Sequence, residues 1–172
     1  RSGPLTCDIS STALLALGRI SSEVKRENPS LSRSINKQLS DYLEQNSNDE
    51  REAITFLRAI ENTGDVFFVK KLVPFIYSES RSVKKAVINV YSKLNDAHSL
   101  SILVKALAKE KSVDIRKVIV RTIMYRRPNV KSIGVIKRLL NKEKDRDMKR
   151  DMVKYLLKNK DKSPHVIKTI KK

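Results

Sequence analysis

At 172 residues and 40% apolar composition, the chain can bury a substantial core and is not a disordered tail. Four glycines, no tryptophan and 5% aromatic residues fit poorly with a β-sandwich, a barrel or a Gly-loop nucleotide fold. The net charge of +18 is uneven: residues 1–99 hold 14 Lys/Arg against 12 Asp/Glu and residues 100–172 hold 23 against 7, so the halves carry +2 and +16, a field that attracts polyanions but does not specify a fold.

The chain opens at Arg1, and residues 1–6 read as a flexible leader or tag remnant ahead of a helical domain over 7–172, itself a fragment of a larger protein. No apolar run approaches the roughly 18 residues of a membrane span, and no signal-peptide pattern opens the chain. Cys7 is one cysteine, far in sequence from His98 and His165. It reads as a small buried residue or as half of a disulfide to a segment outside this chain, and supports neither an internal disulfide framework nor a zinc site.

From residue 11 onward apolar residues recur every three or four positions, the period of amphipathic helices. A helix over 11–25 (Leu14, Leu15, Leu17, Ile20, Val24) and another over 31–43 (Ile35, Leu39, Tyr42) flank a break at Asn28-Pro29-Ser30. With Pro at its middle position that tripeptide is also a poor glycosylation acceptor. Ser47 and Glu50 have capping-box spacing ahead of a helix over 49–62 (Ile54, Leu57, Ile60). A turn at Thr63-Gly64 leads to a predicted helix over 65–76 through Val66, Val69, Leu72 and Val73. The next pair runs over 82–94 (Val83, Ala86, Val87, Val90), turns at Asn95-Asp96 and returns through Leu100, Leu103 and Leu107. A third has Ile115, Val118, Ile119 and Ile123, a turn at Arg127-Pro128-Asn129, then Ile133, Ile136, Leu139 and Leu140. The last has Met148, Met152, Tyr155 and Leu156, a turn over 160–164, then Val166, Ile167 and Ile170.

Equivalent positions recur at nearly constant intervals. Ala53 precedes Ala86 by 33 residues, Val83 precedes Ile115 by 32, and Ile115 precedes Met148 by 33. Such a period marks hairpins that cannot bury their apolar faces alone and must stack. The predicted fold is all-α, a right-handed α-solenoid of about five HEAT-like helical hairpins. "SVKKAV", "DIRKVI" and "DMKRDM" place Lys84, Arg116 and Lys149 at matching positions. There they are expected to hold the seam between hairpins by bonding an acidic or carbonyl partner in an adjacent turn.

Four segments in order carry a more specific likeness: "CDISSTALLALGRI" (7–20), "AITFLRAIENTGDVFFVKKLVPFI" (53–76), "SRSVKKAVINVYSKL" (80–94) and "KSVDIRKVIVRTIMYRRPNVKSIGVIKRLLNKEKDRDMKRDMVKYLLKN" (111–159). Together they resemble the helical domain of the large lipid transfer proteins, the family of vitellogenins, apolipophorins, apolipoprotein B and the microsomal triglyceride transfer protein. Val118 and Asp151 stand where that family usually has small residues, and the basic excess is unusual for it. The resemblance implies a non-enzymatic scaffold that supports a lipid cavity lying outside this chain, needs no cofactor, and works in a secreted or secretory-lumen lipoprotein. It also implies lipid as a partner of the full-length protein, with anionic head groups, glycans or a receptor as partners of the outer surface.

Enzymatic motifs are missing from the sequence: there is no Gly-x-Ser-x-Gly, His-Glu-x-x-His or Gly-rich phosphate loop, and Gly64 and Gly134 stand alone. Asp145, Asp147 and Asp151 sit among Arg146, Lys149 and Arg150, which predicts exposed ion pairs at helical spacing. The candidate polyanion or partner-binding residues are Arg126, Arg127, Lys131, Lys137, Arg138, Lys142, Lys158 and Lys160. The tail Lys158, Lys160, Lys162, Lys168, Lys171 and Lys172 could likewise meet an anionic membrane or serve as a solvated linker. The alternative function is therefore a HEAT-like module that holds nucleic acid or another polyanion with its basic half. Tyr125 alone interrupts the basic cluster, which makes a poor stacking platform for single strands.

Overall fold

Residues 25–28 separate the first two helices, and Pro29 opens the second one. In the computed structural model, which describes residues 11–45, 48–94 and 96–162, α1 is Ser11–Val24 and α2 is Pro29–Gln45. Pro29 occupies the first helical position, where an N–H would have no intrahelical partner anyway. The Asn28 side-chain oxygen accepts from Leu31 N–H at 3.0 Å, and Ser32 N–H donates to the Asn28 carbonyl at 3.1 Å. The expected break is thus an N-terminus, two residues earlier than the apolar pattern alone places it.

The described residues are all-α, in two compact units, Arg1–Val90 and Tyr91–Lys172, with the division falling inside one helix. In the first unit α1 packs against both α2 and α3 (Glu50–Thr63). The face α1 buries is Leu14, Gly18 and Ser21, while Leu17 is half-buried and Ile20 is exposed. A Cβ on Gly18 would run into the Ala59 carbonyl, so the two backbones approach where only glycine fits. Small and polar residues therefore displace part of the predicted apolar stripe.

On α2 the buried face is half polar: Ser32, Asn36 and Ser40 alternate with Ile35, Leu39 and Leu43. Ser21 Oγ donates to Asn36 Oδ1 at 2.7 Å, which leaves Ser32 Oγ to donate to Ser21 Oγ across 3.0 Å. Asn36 Nδ2 donates to Asp65 Oδ2 at 3.1 Å, and the Lys25 ammonium closes on that same oxygen at 3.1 Å. Each buried polar atom in this chain of contacts is satisfied, which is the condition for such a network to stabilise and register a helix pair. Tyr42, half-buried, stacks on Phe56 with ring centroids 5.8 Å apart.

Capping and the second half of this hairpin differ from expectation. Asp49 is the N-cap of α3, its carboxylate accepting from Glu52 N–H at 2.8 Å, while Ser47 lies outside the described residues. Gly64 ends the helix in the left-handed region at φ 57°, as the Thr63-Gly64 signal requires. The predicted helix over 65–76 is replaced by a 3-10 turn, Val66–Phe68, and a single helical turn, α4 (Val73–Ile76). Pro74 is the cause: it has no N–H for the carbonyl of Lys70, which takes Val73 N–H instead at 3.3 Å. Phe68, Val69, Leu72 and Ile76 are buried, whereas Val66 stands exposed.

The division between units falls within α5 (Arg81–Lys93), which buries Val83, Val87, Ile88, Val90 and Tyr91, with Leu94 just beyond its end. In the second unit follow α6 (Ala97–Lys109), α7 (Val113–Tyr125), α8 (Val130–Leu140) and α9 (Arg146–Lys158). Their buried residues match the period: Leu100, Leu103 and Leu107; Ile115, Ile119 and Ile123; Ile133 and Ile136; Met148, Met152, Tyr155 and Leu156. Val118, Leu139 and Leu140 are half-buried. Asn129 and Ser132 form a reciprocal capping box at the start of α8, and Ser132 Oγ also meets Tyr155 OH of α9 at 3.2 Å. The chain leaves α9 through a 3-10 turn, Lys160–Lys162; Val166, Ile167 and Ile170 lie outside the described residues, as do residues 1–6, Cys7 and His165.

Candidate interaction surface

Two adjacent arginines at the end of α7 have opposite fates. Arg126, which the sequence places in the partner-binding set, is 7% exposed and is removed from it. One guanidinium nitrogen donates to the Tyr91 carbonyl at 2.7 Å and the other to the Asp96 carbonyl at 2.7 Å. The planar guanidinium meets both acceptors with N–H groups held in a fixed fork, and these two bonds offset the burial of its charge. Burial draws the Arg126 pKa down and the Asp96 carboxylate opposes it. Asp96 itself caps α6, accepting from His98 N–H at 2.8 Å and Ser99 N–H at 3.0 Å. Burial pushes its pKa up, but the hydrogen bonds from Ser99 and His98, with the Arg126 charge, leave it lowered overall. His98 is exposed on the first turn of α6.

Arg127 points to solvent, and so do Lys131, Arg138, Lys142, Lys158 and Lys160, while Lys137 is half-buried. These do not form one cluster. Arg127 and Lys131 flank the α7–α8 turn; Lys137 and Arg138 occupy the last turn of α8, where cations complement the helix terminus. Seven residues separate Lys131 from Arg138, about 10 Å along the helix axis. Lys158 and Lys160 close α9, and Lys168, Lys171 and Lys172 lie outside the described residues.

Much of the remaining charge in this unit is engaged between α7 and the segment entering and forming α9. Arg116 donates to the Leu107 carbonyl at 3.4 Å and lies 3.5 Å from the Glu143 carboxylate, the seam role that the repeat predicted for it. Lys117 meets Asp145 at 2.8 Å, and Arg121 approaches Asp151 at 3.7 Å. Asp147 pairs with Arg150 at helical spacing as expected, but Asp145 and Asp151 take partners on α7 instead of their own neighbours. Tertiary packing brings those cations closer than the flexible neighbours on the same helix. Lys149, predicted to share the seam role of Arg116, is exposed. A crevice beside these pairs is lined by Lys117, Arg121, Met124, Asp147, Met148 and Asp151.

The Lys117 hydrogen bond holds the Asp145 carboxyl below its usual 3.8, and Asp145 in turn lifts Lys117 above 10.5. Because the folded Asp145 and Asp96 pKa values lie below the unfolded value, their contribution is present above 3.8 and is lost as pH falls through the folded pKa. The Lys117 contribution has the opposite sign: it is complete below 10.5 and is lost as pH rises through the lifted value. Urea midpoints followed by circular dichroism should therefore hold steady from about pH 8 to about pH 5 and fall by about pH 3. Asp145→Asn should reduce that acid fall.

Among the described residues no helix is long and apolar enough to cross a membrane, and no group of three or more His, Cys, Asp or Glu is placed to hold a metal ion. No curated protein and no solved structure matches the chain. The sequence does match the family described as the Vitellogenin TPR domain, over residues 8–170, nearly its whole length. With its all-α hairpins and its 32 to 33 residue spacing, this chain belongs to the Vitellogenin TPR domain family.

Proposed function

We propose that this chain is the non-enzymatic helical scaffold of a larger vitellogenin- or apolipophorin-like lipoprotein that transports or stores lipid, the lipid lying in a cavity outside it. The observation that carries this reading is the family match across residues 8–170. The second unit supports it: most of its large apolar side chains are buried between helices, and four of the six side chains that line its crevice, Lys117, Arg121, Asp147 and Asp151, are charged. Repeats of 32 to 33 residues support stacked helical hairpins, and the reading takes them as about five in a right-handed solenoid. That period lies nearer the roughly 34 residues of tetratricopeptide hairpins than the roughly 40 to 47 of HEAT repeats. The reading places the protein in the secretory lumen or outside the cell, with anionic head groups, glycans or a receptor meeting its basic outer surface.

Lipid analysis of purified material tests it. The 172-residue chain alone should carry no neutral lipid, while the longer protein containing it should carry lipid and lose it when the helical segment is unfolded. A longer protein that is lipid-free by mass spectrometry would overturn the reading.

The +16 charge of residues 100–172 favours a second reading, a solenoid module for nucleic acid or another polyanion. Burial of Arg126 and pairing of Arg116, Lys117, Arg121 and Arg150 reduce the cations it has to offer. Binding to duplex DNA, heparin and anionic vesicles at physiological salt separates the readings. Tight, sequence-selective DNA binding would establish the second and sink the first.

A further inference from the structure

Tyr125 and Val130 are the two most exposed large apolar side chains among the described residues, at 87% and 70%, and they lie five residues apart on the α7–α8 turn. Exposed Arg127 lies between them and exposed Lys131 follows directly. Beneath the turn, the buried Arg126 guanidinium ties it to the Tyr91 and Asp96 carbonyls, and the Asn129–Ser132 capping box fixes its far side. Two apolar side chains and two cations are therefore presented on a turn held from within. That spares the ordering cost which a loose loop would meet on binding.

The geometry points to the α7–α8 turn as a docking tip for an anionic lipid surface, with Tyr125 and Val130 entering the head-group boundary while Arg127 and Lys131 face the lipid phosphates or carboxylates. Tyrosine suits that depth because its ring is apolar and its hydroxyl stays wet. Val130 decides against nucleic acid, because an aliphatic side chain offers no face on which a base can stack. Two cations release few counterions from a nucleic-acid backbone, whereas each strengthens binding to an acidic leaflet about fivefold and the apolar pair adds to both. This tip deepens the lipid-protein reading above by naming the surface through which the scaffold would meet a membrane.

The chain has no tryptophan, so Tyr125→Trp gives a single reporter at the tip. With this variant of the full chain, its emission should shift to the blue on vesicles containing phosphatidylserine and be quenched by brominated acyl chains. It should do neither on zwitterionic vesicles, heparin or duplex DNA. Tyr125→Ser with Val130→Ser should weaken vesicle binding about tenfold at unchanged net charge, and Arg127→Ala about fivefold, with far-ultraviolet circular dichroism unaltered. An unshifted tryptophan overturns the proposal, whether the chain still sediments with the vesicles through another surface or fails to bind them. Binding unaffected by the double serine variant overturns it as well. The lipid content of the longer protein is read separately: a lipid-loaded protein with a silent tryptophan sinks the docking tip only, and a lipid-free protein with a shifted one sinks the scaffold reading only.

Discussion

Gly18→Ala should destabilise the chain by about 2 kcal/mol, although helix propensity alone predicts the opposite sign. Glycine inside a helix costs about 1 kcal/mol relative to alanine, so the substitution would stabilise an isolated α1. Here the new methyl would run into the Ala59 carbonyl, which is backbone and cannot rotate away. Forcing α1 and α3 apart then costs about 3 kcal/mol, which outweighs the propensity gain. Gly134 in α8 is the control: a Cβ there meets nothing within 4 Å, so Gly134→Ala should stabilise by up to about 1 kcal/mol. Urea midpoints of the two variants moving in opposite directions would bear this out. A neutral or stabilised Gly18→Ala chain would show that α1 does not dock at this distance.

Arg126→Met should cost about 3 kcal/mol while Arg127→Met stays within about 0.5 kcal/mol of the parent. Methionine keeps most of the Arg126 stem but leaves the Tyr91 and Asp96 carbonyls without their charged donor. Losing hydrogen bonds to an ionised group exceeds the desolvation relieved by removing the charge, chiefly at the buried Tyr91 carbonyl, since the Asp96 carbonyl keeps Ser99 Oγ and Leu100 N–H as donors. For a chain of this size the loss corresponds to a fall in Tm of about 6 to 12 °C, readable by differential scanning calorimetry. Equal effects at the two arginines would mean that neither is buried. Polyanion binding should respond in the reverse order, with Arg127 the more sensitive site, because only its charge reaches solvent.

The helical period identified most of the second unit because its apolar residues are large and repeat without interruption. Met148, Met152, Tyr155 and Leu156 lie inward as their spacing requires, and so do Ile115, Ile119 and Ile123. The first unit departs further. Ser32, Asn36 and Ser40 are buried on α2, and no count of apolar residues could select them, because their burial depends on Ser21, Asp65 and Lys25 arriving from elsewhere in the chain. Pro74 carried a local signal that the apolar pattern overrode: its missing N–H and ring reduce the predicted helix to two short turns. The same contrast holds for charge. Neighbouring acids and bases at helical spacing correctly pair Asp147 with Arg150, but Asp145 and Asp151 turn to α7.

By itself the sequence determined an all-α chain of paired helices, their period, the concentration of positive charge in residues 100–172 and the likeness to the large lipid transfer family. These are properties of order and spacing along one dimension, where amphipathic periodicity and composition act locally. Only the tertiary structure decided which of two adjacent arginines is free. Their local context is nearly the same, and the difference arises because carbonyls 35 and 30 residues upstream converge on Arg126 and leave Arg127 in water. For the same reason the basic run around 126–138 divides into an internal staple, the exposed pair Arg127 and Lys131 at the tip of a turn, and a separate group at the far end of α8. Desolvation, which sets the cost and the use of each charge, depends on packing that residue spacing does not encode.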